Sequence, residues 1–351
     1  MNTLNTRIAS RLIHFAESGQ LPDKLIRFGI RALSKKRLQQ EHLNHPARAT
    51  EQFNAVLNQL ANSPVAIATE EANEQHYELP TEFFQSVLGK HLKYSACEFT
   101  DNATLDEAEA HSLACYCQRA ELADGMNILE LGCGWGSFTL WMASHYPNAS
   151  ITAVSNSNSQ REYIMREAEQ RGLTNITVIT QDINALELDS NTFDRAVSVE
   201  MFEHVRNYEK LFENISAWLK PSGKLWCHIF CHRHLQYPFE DLSELDWMSR
   251  YFFTGGMMPS FFTFYAFSSH LTIEKTWQWS GETYKHTANA WLKNMDQAQD
   301  SLRPMFNTVY KEESNIWWQR WRIFFMSCAE LFGLHKGSEW VIGHYLFTPN
   351  K

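Results

Sequence analysis

The chain has 351 residues, of which 44% are hydrophobic, 13% aromatic and 20% charged. This composition excludes a disordered protein, a collagen-like repeat and a disulfide-rich miniprotein, and the length suits one large domain or two ordinary ones. The formal net charge of −9 argues against general nucleic-acid binding, which needs a basic surface.

The N-terminal region is helical in pattern and basic. Apolar residues recur at helical spacing between residues 4 and 33, Leu21-Pro22 separates two helices, and a third helix is predicted at Arg48–Asn62. Residues 1–50 hold nine Lys or Arg and three Asp or Glu. We expect this region to dock on the acidic remainder of the chain, and peripheral membrane contact is the alternative. Residues 63–76 are predicted to form a linker.

Residues 125–230 alternate between short apolar runs and helical stretches. The predicted strands are Asn127–Leu131, Ala149–Val154, Ile176–Thr180, Arg195–Val199 and Lys224–Phe230. The predicted helices between them are Ser137–His145, Ser159–Arg171 and Tyr208–Leu219, and Pro221-Ser222-Gly223 is predicted to be a turn. Strands that alternate with helices predict a parallel, doubly wound α/β sheet.

The aromatic-rich residues 231–351 are predicted to supply a cap over the site, at about 232–300, and the closing strands of the sheet. The longest apolar stretch, Tyr251–Phe267, is interrupted by polar residues, glycines and a proline, so we expect no transmembrane span.

The cysteines and the N-terminus indicate a compartment. The seven cysteines are scattered through apolar segments: Cys97, Cys115, Cys117, Cys133, Cys227, Cys231 and Cys328. An odd, scattered set favours a reducing environment. Met1 is not followed by a charged segment and then an apolar run, so we expect no secretory signal. We therefore expect a cytoplasmic location.

The strongest motif is residues 128–136 (ILELGCGWG), where a strand leads through a glycine-rich turn into a helix. Glycines permit positive φ and close approach of a ligand, and the helix N-terminus offers free N–H groups. Dinucleotide folds use similar turns, but the later glycine of their motif is absent, and Glu130 would repel a pyrophosphate. This acid suits the ammonium of S-adenosylmethionine. A turn without a ligand is the alternative.

Polar side chains follow the second and third strands. Residues 154–160 (VSNSNSQ) lack the acid that often binds ribose, but their hydroxyl and amide groups can bond to ribose. Ser157 or Ser159 could instead cap the next helix, and both interpretations are compatible. Asp182 is placed to accept a hydrogen bond from an adenine amino group, and Ile183 to pack on the ring.

The fourth strand ends in residues 198–205 (SVEMFEHV). Glu200, Glu203 and His204 therefore lie at the carboxyl end of the strand, where open α/β sheets place their chemistry. Such a group can bind a cation or take up a proton near neutral pH. The alternative is a solvated charge cluster at the start of a helix.

Histidines and cysteines are concentrated at the end of the fifth strand, at Cys227, His228, Cys231, His232 and His234. Their spacing fits no standard zinc signature, and Cys227 and His228 alternate on a strand. We therefore predict no metal, and favour His228 as an inward polar residue near the methyl donor.

Four segments together resemble the cyclopropane-fatty-acyl-phospholipid synthase superfamily of S-adenosylmethionine-dependent methyltransferases. These segments are Glu130–Gly136, Ser155–Gln160, Glu203-His204 and Asp246–Pro259. From about Tyr77 onward the chain is most similar to the coclaurine N-methyltransferase branch. Residues 1–75 of this chain resemble the helical N-terminal region of that branch. The resemblance implies a Rossmann-like class I methyltransferase domain at 76–351 behind a helical region at 1–75.

The resemblance also implies the cofactor contacts, in addition to Glu130. They are Tyr94, Ser95, Gly132, Cys133 and Gly134 at the methionyl part, Ser155, Asn156 and Gln160 at ribose, Asp182 and Ile183 at adenine, and Val199 in the wall. Glu203 and His204 match an acid–histidine pair of both branches.

The two branches of this superfamily differ around Glu200. The resemblance implies a second acid at this position in amine methyltransferases and a glycine in lipid synthases. Lipid synthases also hold bicarbonate with a cysteine, the shared glutamate, a histidine and a tyrosine. Here Ala96 stands at the cysteine position, whereas His228 and Tyr284 match the other ligands, so this cage is incomplete.

We therefore predict methyl transfer from S-adenosylmethionine to the amine nitrogen of a small, largely apolar or aromatic acceptor. The predicted catalytic group is Glu200, Glu203, His204, His228 and Tyr284. Methyl or methylene transfer to an unsaturated acyl chain is the alternative. A regulatory subunit with a degenerate site is disfavoured by the intact acid–histidine group, no nucleic-acid partner is expected, and a homodimer is left open.

Overall fold

A seven-stranded mixed sheet lies at the centre of the computed structural model, which describes residues 3–67, 79–243 and 245–350. Its strands are β1 (Asn127–Leu131), β2 (Ser150–Ser155), β3 (Ile176–Thr180), β4 (Phe193–Val199), β5 (Leu219–His232), β8 (Leu271–Trp279) and β9 (Trp340–Pro349); the short strands β6 (Tyr237–Pro238) and β7 (Met257–Met258) pair separately. The order is β3-β2-β1-β4-β5-β9-β8, with β1 to β5 parallel and β9 antiparallel to both of its neighbours. This arrangement confirms the predicted α/β class and the closing strands.

Helices cover both faces of the sheet because its strands are apolar on both sides. The helices are α1 (Thr3–Glu17), α2 (Asp23–Gln40), α3 (Pro46–Ala61), α4 (Thr81–Val87), α5 (Leu105–Arg119), α6 (Ser137–His145), α7 (Asn158–Gln170), α8 (Tyr208–Trp218), α9 (Trp247–Tyr251), α10 (Glu282–Gln297), α11 (Gln299–Tyr310) and α12 (Ser314–Phe332). On β1, Ile128 joins the core that contains Phe138 of α6, whereas Leu129 joins the core that contains Leu211 of α8.

Two local predictions differ from the structure. Helix α3 begins two residues earlier than expected because Pro46 occupies its first turn, where a missing N–H costs nothing. Residues 221–223 do not form a turn that precedes β5. They lie within β5 and form a bulge in it. Phe193 pairs with Leu219 and Arg195 with Lys224, so the intervening residues loop out of register within one strand.

The C-terminal part contributes to both the sheet and the cover over it. Strand β8 lies inside residues 232–300, the range predicted for the cap, and helical structure continues through α11 and α12 to Phe332. The predicted boundary at 75/76, much of the linker and Tyr77 fall outside the described residues. The domain division stays a prediction.

The basic N-terminal region docks on α12 through ion pairs. Arg27 of α2 lies 2.8 Å from Glu330, which Arg31 also contacts, and Arg322 of α12 lies 2.8 Å from Asp23. Only 14% of the Glu330 side chain is exposed, so this contact is partly screened from water. Within the described ranges, no helix is long and apolar enough to cross a membrane.

We predict that Glu330→Gln lowers the free energy of unfolding by about 1–2 kcal/mol, because two guanidinium groups lose a partly buried partner. Urea denaturation measures this change. Glu213→Gln is the control, since Glu213 forms an exposed pair with Lys210 and exposed pairs add little. Equal losses in both variants would show that these ion pairs do not hold the N-terminal region.

Candidate active site

One cavity opens at the carboxyl ends of β1 to β4, where the strand order reverses. Open α/β sheets bind their ligands at this switch point. All twelve residues predicted to hold the cofactor line it: Tyr94, Ser95, Glu130, Gly132, Cys133, Gly134, Ser155, Asn156, Gln160, Asp182, Ile183 and Val199. Of the predicted catalytic group, Glu200 and His204 line it as well.

The glycine turn forms the floor of the cavity. The amides of Gly132 and Cys133 both donate to the carbonyl of Val154 at 3.0 Å. Gly132 has φ +79°, and a Cβ there would lie 2.6 Å from the side chain of Met201. Gly134 has φ +51°, and a Cβ there would meet nothing within 4 Å, because this residue faces open space. The turn thus needs glycine at position 132 for packing against Met201, and the open space at Gly134 leaves room for a ligand.

Glu130 is a buried acid at the end of β1. Its carboxylate accepts a hydrogen bond from the hydroxyl of Thr139, and burial raises its pKa to about 8. The carboxyl group is therefore largely protonated at neutral pH until a cation lies beside it. This property fits the ammonium group of S-adenosylmethionine.

Some residues that line the cavity carry polar atoms without partners in the described part of the chain. The hydroxyl of Ser155 donates to the side-chain oxygen of Gln160 at 2.6 Å, which fixes the amide orientation. Among the described residues, the side-chain nitrogen of Gln160 and the hydroxyl of Ser137 are buried without a hydrogen-bond partner. Buried polar atoms are rarely left unpaired, so these atoms fit a polar ligand. Ser157 also caps α7, which confirms the capping interpretation.

Asp182 and Ile183, the two residues predicted to contact adenine, line the same cavity. One oxygen of Asp182 accepts from the amide of Asn184 at 2.7 Å. This bond orients a carboxylate at the cavity wall. Together with the glycine floor and the unpaired polar atoms, these residues fit S-adenosylmethionine.

The carboxylate of Glu200 is held at the cavity wall by three hydrogen bonds to separate parts of the chain. The amide of Ala96 donates to one oxygen at 2.9 Å, Nε2 of His228 lies 3.0 Å from the same oxygen, and the hydroxyl of Tyr284 donates to the other at 2.8 Å. Glu200 itself has φ +48°, a strained backbone region for a residue with a side chain. Such strain is concentrated at functional sites.

The two members of the predicted catalytic group that line the cavity differ in basicity. Burial raises the pKa of Glu200 above its ordinary value, whereas burial lowers the pKa of His204 to about 4. His204 is therefore uncharged at neutral pH, and its ring stacks on Phe253. Of the two groups, Glu200 is the better proton acceptor near neutral pH.

The other predicted catalytic residues lie behind the cavity wall. His228 and Tyr284 do not line the cavity but bond to Glu200. Glu203 also lies outside it and accepts a bond from the amide of Phe230. Burial raises the pKa of Glu203 well above its ordinary value. The geometry brings His228 and Tyr284 to the Glu200 carboxylate, whereas His204 lies at the cavity wall and Glu203 lies outside the cavity.

Sequence reasoning missed four residues of this network. Tyr116 and His344 bond to His228, Arg119 contacts His344, and Lys93 donates to the carbonyl of Ala96. His228 and His344 are paired directly across β5 and β9. A lone histidine inside the apolar run of β9 was the available signal. Within the described residues, no three His, Cys, Asp or Glu side chains are grouped so that they could hold a metal ion.

We predict that Gly134→Val weakens S-adenosylmethionine binding by roughly tenfold or more, because the added side chain enters the cavity and overpacking costs about 1–3 kcal/mol. Isothermal titration calorimetry measures the affinity. Gly172→Val is the matched control, since Gly172 also has positive φ and open space but lies outside the cavity. Equal affinity in the two variants would refute the assignment of this turn.

Comparison with known proteins places the chain in a family. The family model described as mycolic acid cyclopropane synthetase matches residues 66–338. The (S)-coclaurine N-methyltransferase of Thalictrum flavum subsp. glaucum is 36% identical over 346 residues, which is 97% of this chain and 96% of that protein. The cyclopropane-fatty-acyl-phospholipid synthase of Escherichia coli (strain K12) is 30% identical over 240 residues, 68% of this chain and 60% of that protein.

Solved structures agree with this placement. A crystal structure of coclaurine N-methyltransferase bound to N-methylheliamine and S-adenosylhomocysteine has a TM-score of 0.92 and 36% identity, and the match covers 96% of this chain and 99% of that one. The cyclopropane synthase MmaA2 of Mycobacterium tuberculosis shares the fold, with a TM-score of 0.68, 19% identity and coverage of 82% of this chain and 100% of that one. The chain is therefore a member of the mycolic acid cyclopropane synthetase family of S-adenosylmethionine-dependent methyltransferases.

Proposed function

We propose that this protein transfers a methyl group from S-adenosylmethionine to the amine nitrogen of a small, largely apolar or aromatic acceptor. The observation that carries the proposal is the Glu200 carboxylate. It faces the cavity that fits the methyl donor, and three hydrogen bonds fix its position.

The surroundings of Glu200 favour an amine over an acyl chain. The resemblance assigns bicarbonate in lipid synthases to the positions of Ala96, His228 and Tyr284, together with the shared glutamate. In this protein the first three bond to the Glu200 carboxylate instead. A side-chain carboxylate thus takes the place of the free anion, and the base belongs to the protein itself.

S-adenosylmethionine supplies an electrophilic methyl group on its sulfonium. An amine attacks such a group only through a free electron pair, so an ammonium must first lose a proton. Glu200 can attract the cationic acceptor and take that proton, and its raised pKa brings it nearer to working pH. The uncharged His204 and the rings around it keep water away from the nitrogen.

The cavity wall also favours an aromatic acceptor. Tyr94, Trp135 and Phe138 contribute rings to it, and rings attract cationic amines and pack on flat ones. The relatives named as coclaurine, pavine and tetrahydroprotoberberine N-methyltransferases support an amine nitrogen as the methyl acceptor.

We also propose a cytoplasmic location, which the seven free cysteines support because thiols persist in a reducing compartment. Peripheral membrane contact through the N-terminal region and a homodimer both stay predictions. Leu25 and Phe28 of α2 are 57% and 66% exposed and are available to either contact.

We predict that Glu200→Gln lowers the rate of amine methylation by roughly two orders of magnitude, within the range of general base catalysis. Higher pH should restore part of the rate, because more acceptor is then already free amine. Initial rates with labelled donor over a pH series measure this effect, and S-adenosylhomocysteine affinity should hardly change.

Glu200→Gly distinguishes the alternative chemistry. In an amine methyltransferase it should be as impaired as Glu200→Gln on amines and inactive on unsaturated phospholipid vesicles. Lipid modification by Glu200→Gly, with no amine methylated by any form, would overturn the proposal in favour of acyl-chain chemistry.

We predict that Tyr284→Phe moves the acidic limb of the kcat/KM profile to higher pH by about half to one unit. The phenol donates to the ionised carboxylate, so its loss raises the pKa of Glu200 further, and stronger acid inhibition follows. Tyr345→Phe is the control, because its buried hydroxyl donates to the carbonyl of Phe261, away from Glu200. A shift in both variants, or in neither, would contradict this role.

A further inference from the structure

We propose that Arg119 is a positioning residue that acts on Glu200 through two buried histidines. This inference rests on the proposed function, because it assigns a purpose to the state of the Glu200 carboxylate. Arg119 ends α5, on the far side of His228 and His344 from the cavity.

The four residues form a continuous chain of hydrogen bonds. The guanidinium of Arg119 contacts Nδ1 of His344, Nε2 of His344 lies 3.0 Å from Nδ1 of His228, and Nε2 of His228 lies 3.0 Å from Glu200. His228 is 1% exposed and His344 is fully buried, so both rings form their hydrogen bonds with protein groups.

The chain of hydrogen bonds has a fixed donor-to-acceptor direction because arginine carries N–H donors only. A donor at Nδ1 of His344 leaves the proton of the neutral ring on Nε2. That proton faces Nδ1 of His228, which must then accept, so the proton of His228 lies on Nε2 and faces the carboxylate. Every bond therefore donates toward Glu200, and the last one favours its ionised form.

Burial keeps both rings neutral, as this argument requires. It lowers the pKa of His228 and of His344 well below the ordinary value, and the charges of Lys93 and Arg119 act in the same direction. The charged and titratable groups around Glu200 are His228, Tyr284, Lys93, His204, Glu203, Tyr116, Cys97 and Cys328. Those that face the two rings are Tyr116, Lys93 and Arg119.

Tyr116 offers the competing arrangement. Its hydroxyl lies 2.9 Å from Nδ1 of His228 and 3.3 Å from the carbonyl of Ala96. If Nδ1 of His228 carried the proton and donated to this hydroxyl, Nε2 would present a lone pair to Glu200. That arrangement disfavours the ionised form of Glu200. The guanidinium of Arg119, at the far end of the hydrogen-bond chain, selects against this arrangement.

Arg119 is held in place by aromatic rings. Its guanidinium lies 5.4 Å from the ring centroid of Trp277 and 5.0 Å from that of Trp279, both on β8. This packing gives the donor a defined position on His344. Because every bond of the hydrogen-bond chain donates toward Glu200, a proton on Glu200 cannot pass along it to Arg119. That proton therefore leaves through the cavity.

The test compares Arg119→Met and Arg119→Lys with wild type. In full-length protein labelled with ¹⁵N-histidine, wild type should show both rings with the proton on Nε2, and Arg119→Met a mixture of tautomers. The acidic limb of kcat/KM on an amine should move up by about one unit in Arg119→Met, with roughly tenfold lower kcat/KM at pH 7. Arg119→Lys keeps a donor and should recover most of both.

Arg303→Met is the matched control, because Arg303 also stacks on an indole, that of Trp318 at 4.6 Å, far from Glu200. It should leave tautomers and pH profile unchanged, and S-adenosylhomocysteine affinity should be unchanged in all variants. A proton on Nδ1 of His228 in wild type, or an Arg119→Met profile like that of Arg303→Met, would overturn the inference. If no amine is methylated, the proposed function fails, and the spectra alone decide on the relay.

Discussion

A carboxylate buried at the end of β4 is the constraint on which this site depends. An ionised acid out of water is unstable unless donors surround it, and Glu200 has three, from Ala96, His228 and Tyr284. Each donor comes from a different part of the chain, so the carboxylate ties the loop before α5, strand β5 and helix α10 to one point. Its strained backbone shows that the surrounding structure determines its position.

The fold brings this acid next to the methyl-donor cavity by its topology. The order of the strands reverses between β1 and β4, so the glycine turn after β1 and Glu200 after β4 share one edge. The antiparallel strand β9 then places His344 beside His228, which extends the network through the sheet to Arg119. The residues predicted to hold the cofactor and the Glu200 carboxylate therefore line one cavity, and Val199 and Glu200 are neighbours at the end of β4.

The sequence allowed prediction of the parts of the site that follow directly after a strand. Glu130, Ser155, Asp182 and Glu200 come at the ends of successive strands, and parallel strands bring their carboxyl ends to one edge. His344 and Arg119 were not predictable in this way, because they lie 116 and 109 residues from His228. His344 meets His228 only through strand pairing, and Arg119 contacts His344 only in the tertiary structure. The bulge in β5 was missed because a proline–serine–glycine run has the composition of a turn. Glu203 was grouped with Glu200 on spacing, but the 3₁₀ turn at Phe202–His204 directs it away from the cavity.

The central claim is that the Glu200 carboxylate takes the proton of an amine acceptor. A crystal structure with S-adenosylhomocysteine and an aromatic cyclic amine tests it most directly. The account predicts a Glu200 oxygen about 3 Å from the amine nitrogen, with the bonds from Ala96, His228 and Tyr284 retained. A bicarbonate ion held by those three groups, with Glu200 turned away from the amine, would contradict it.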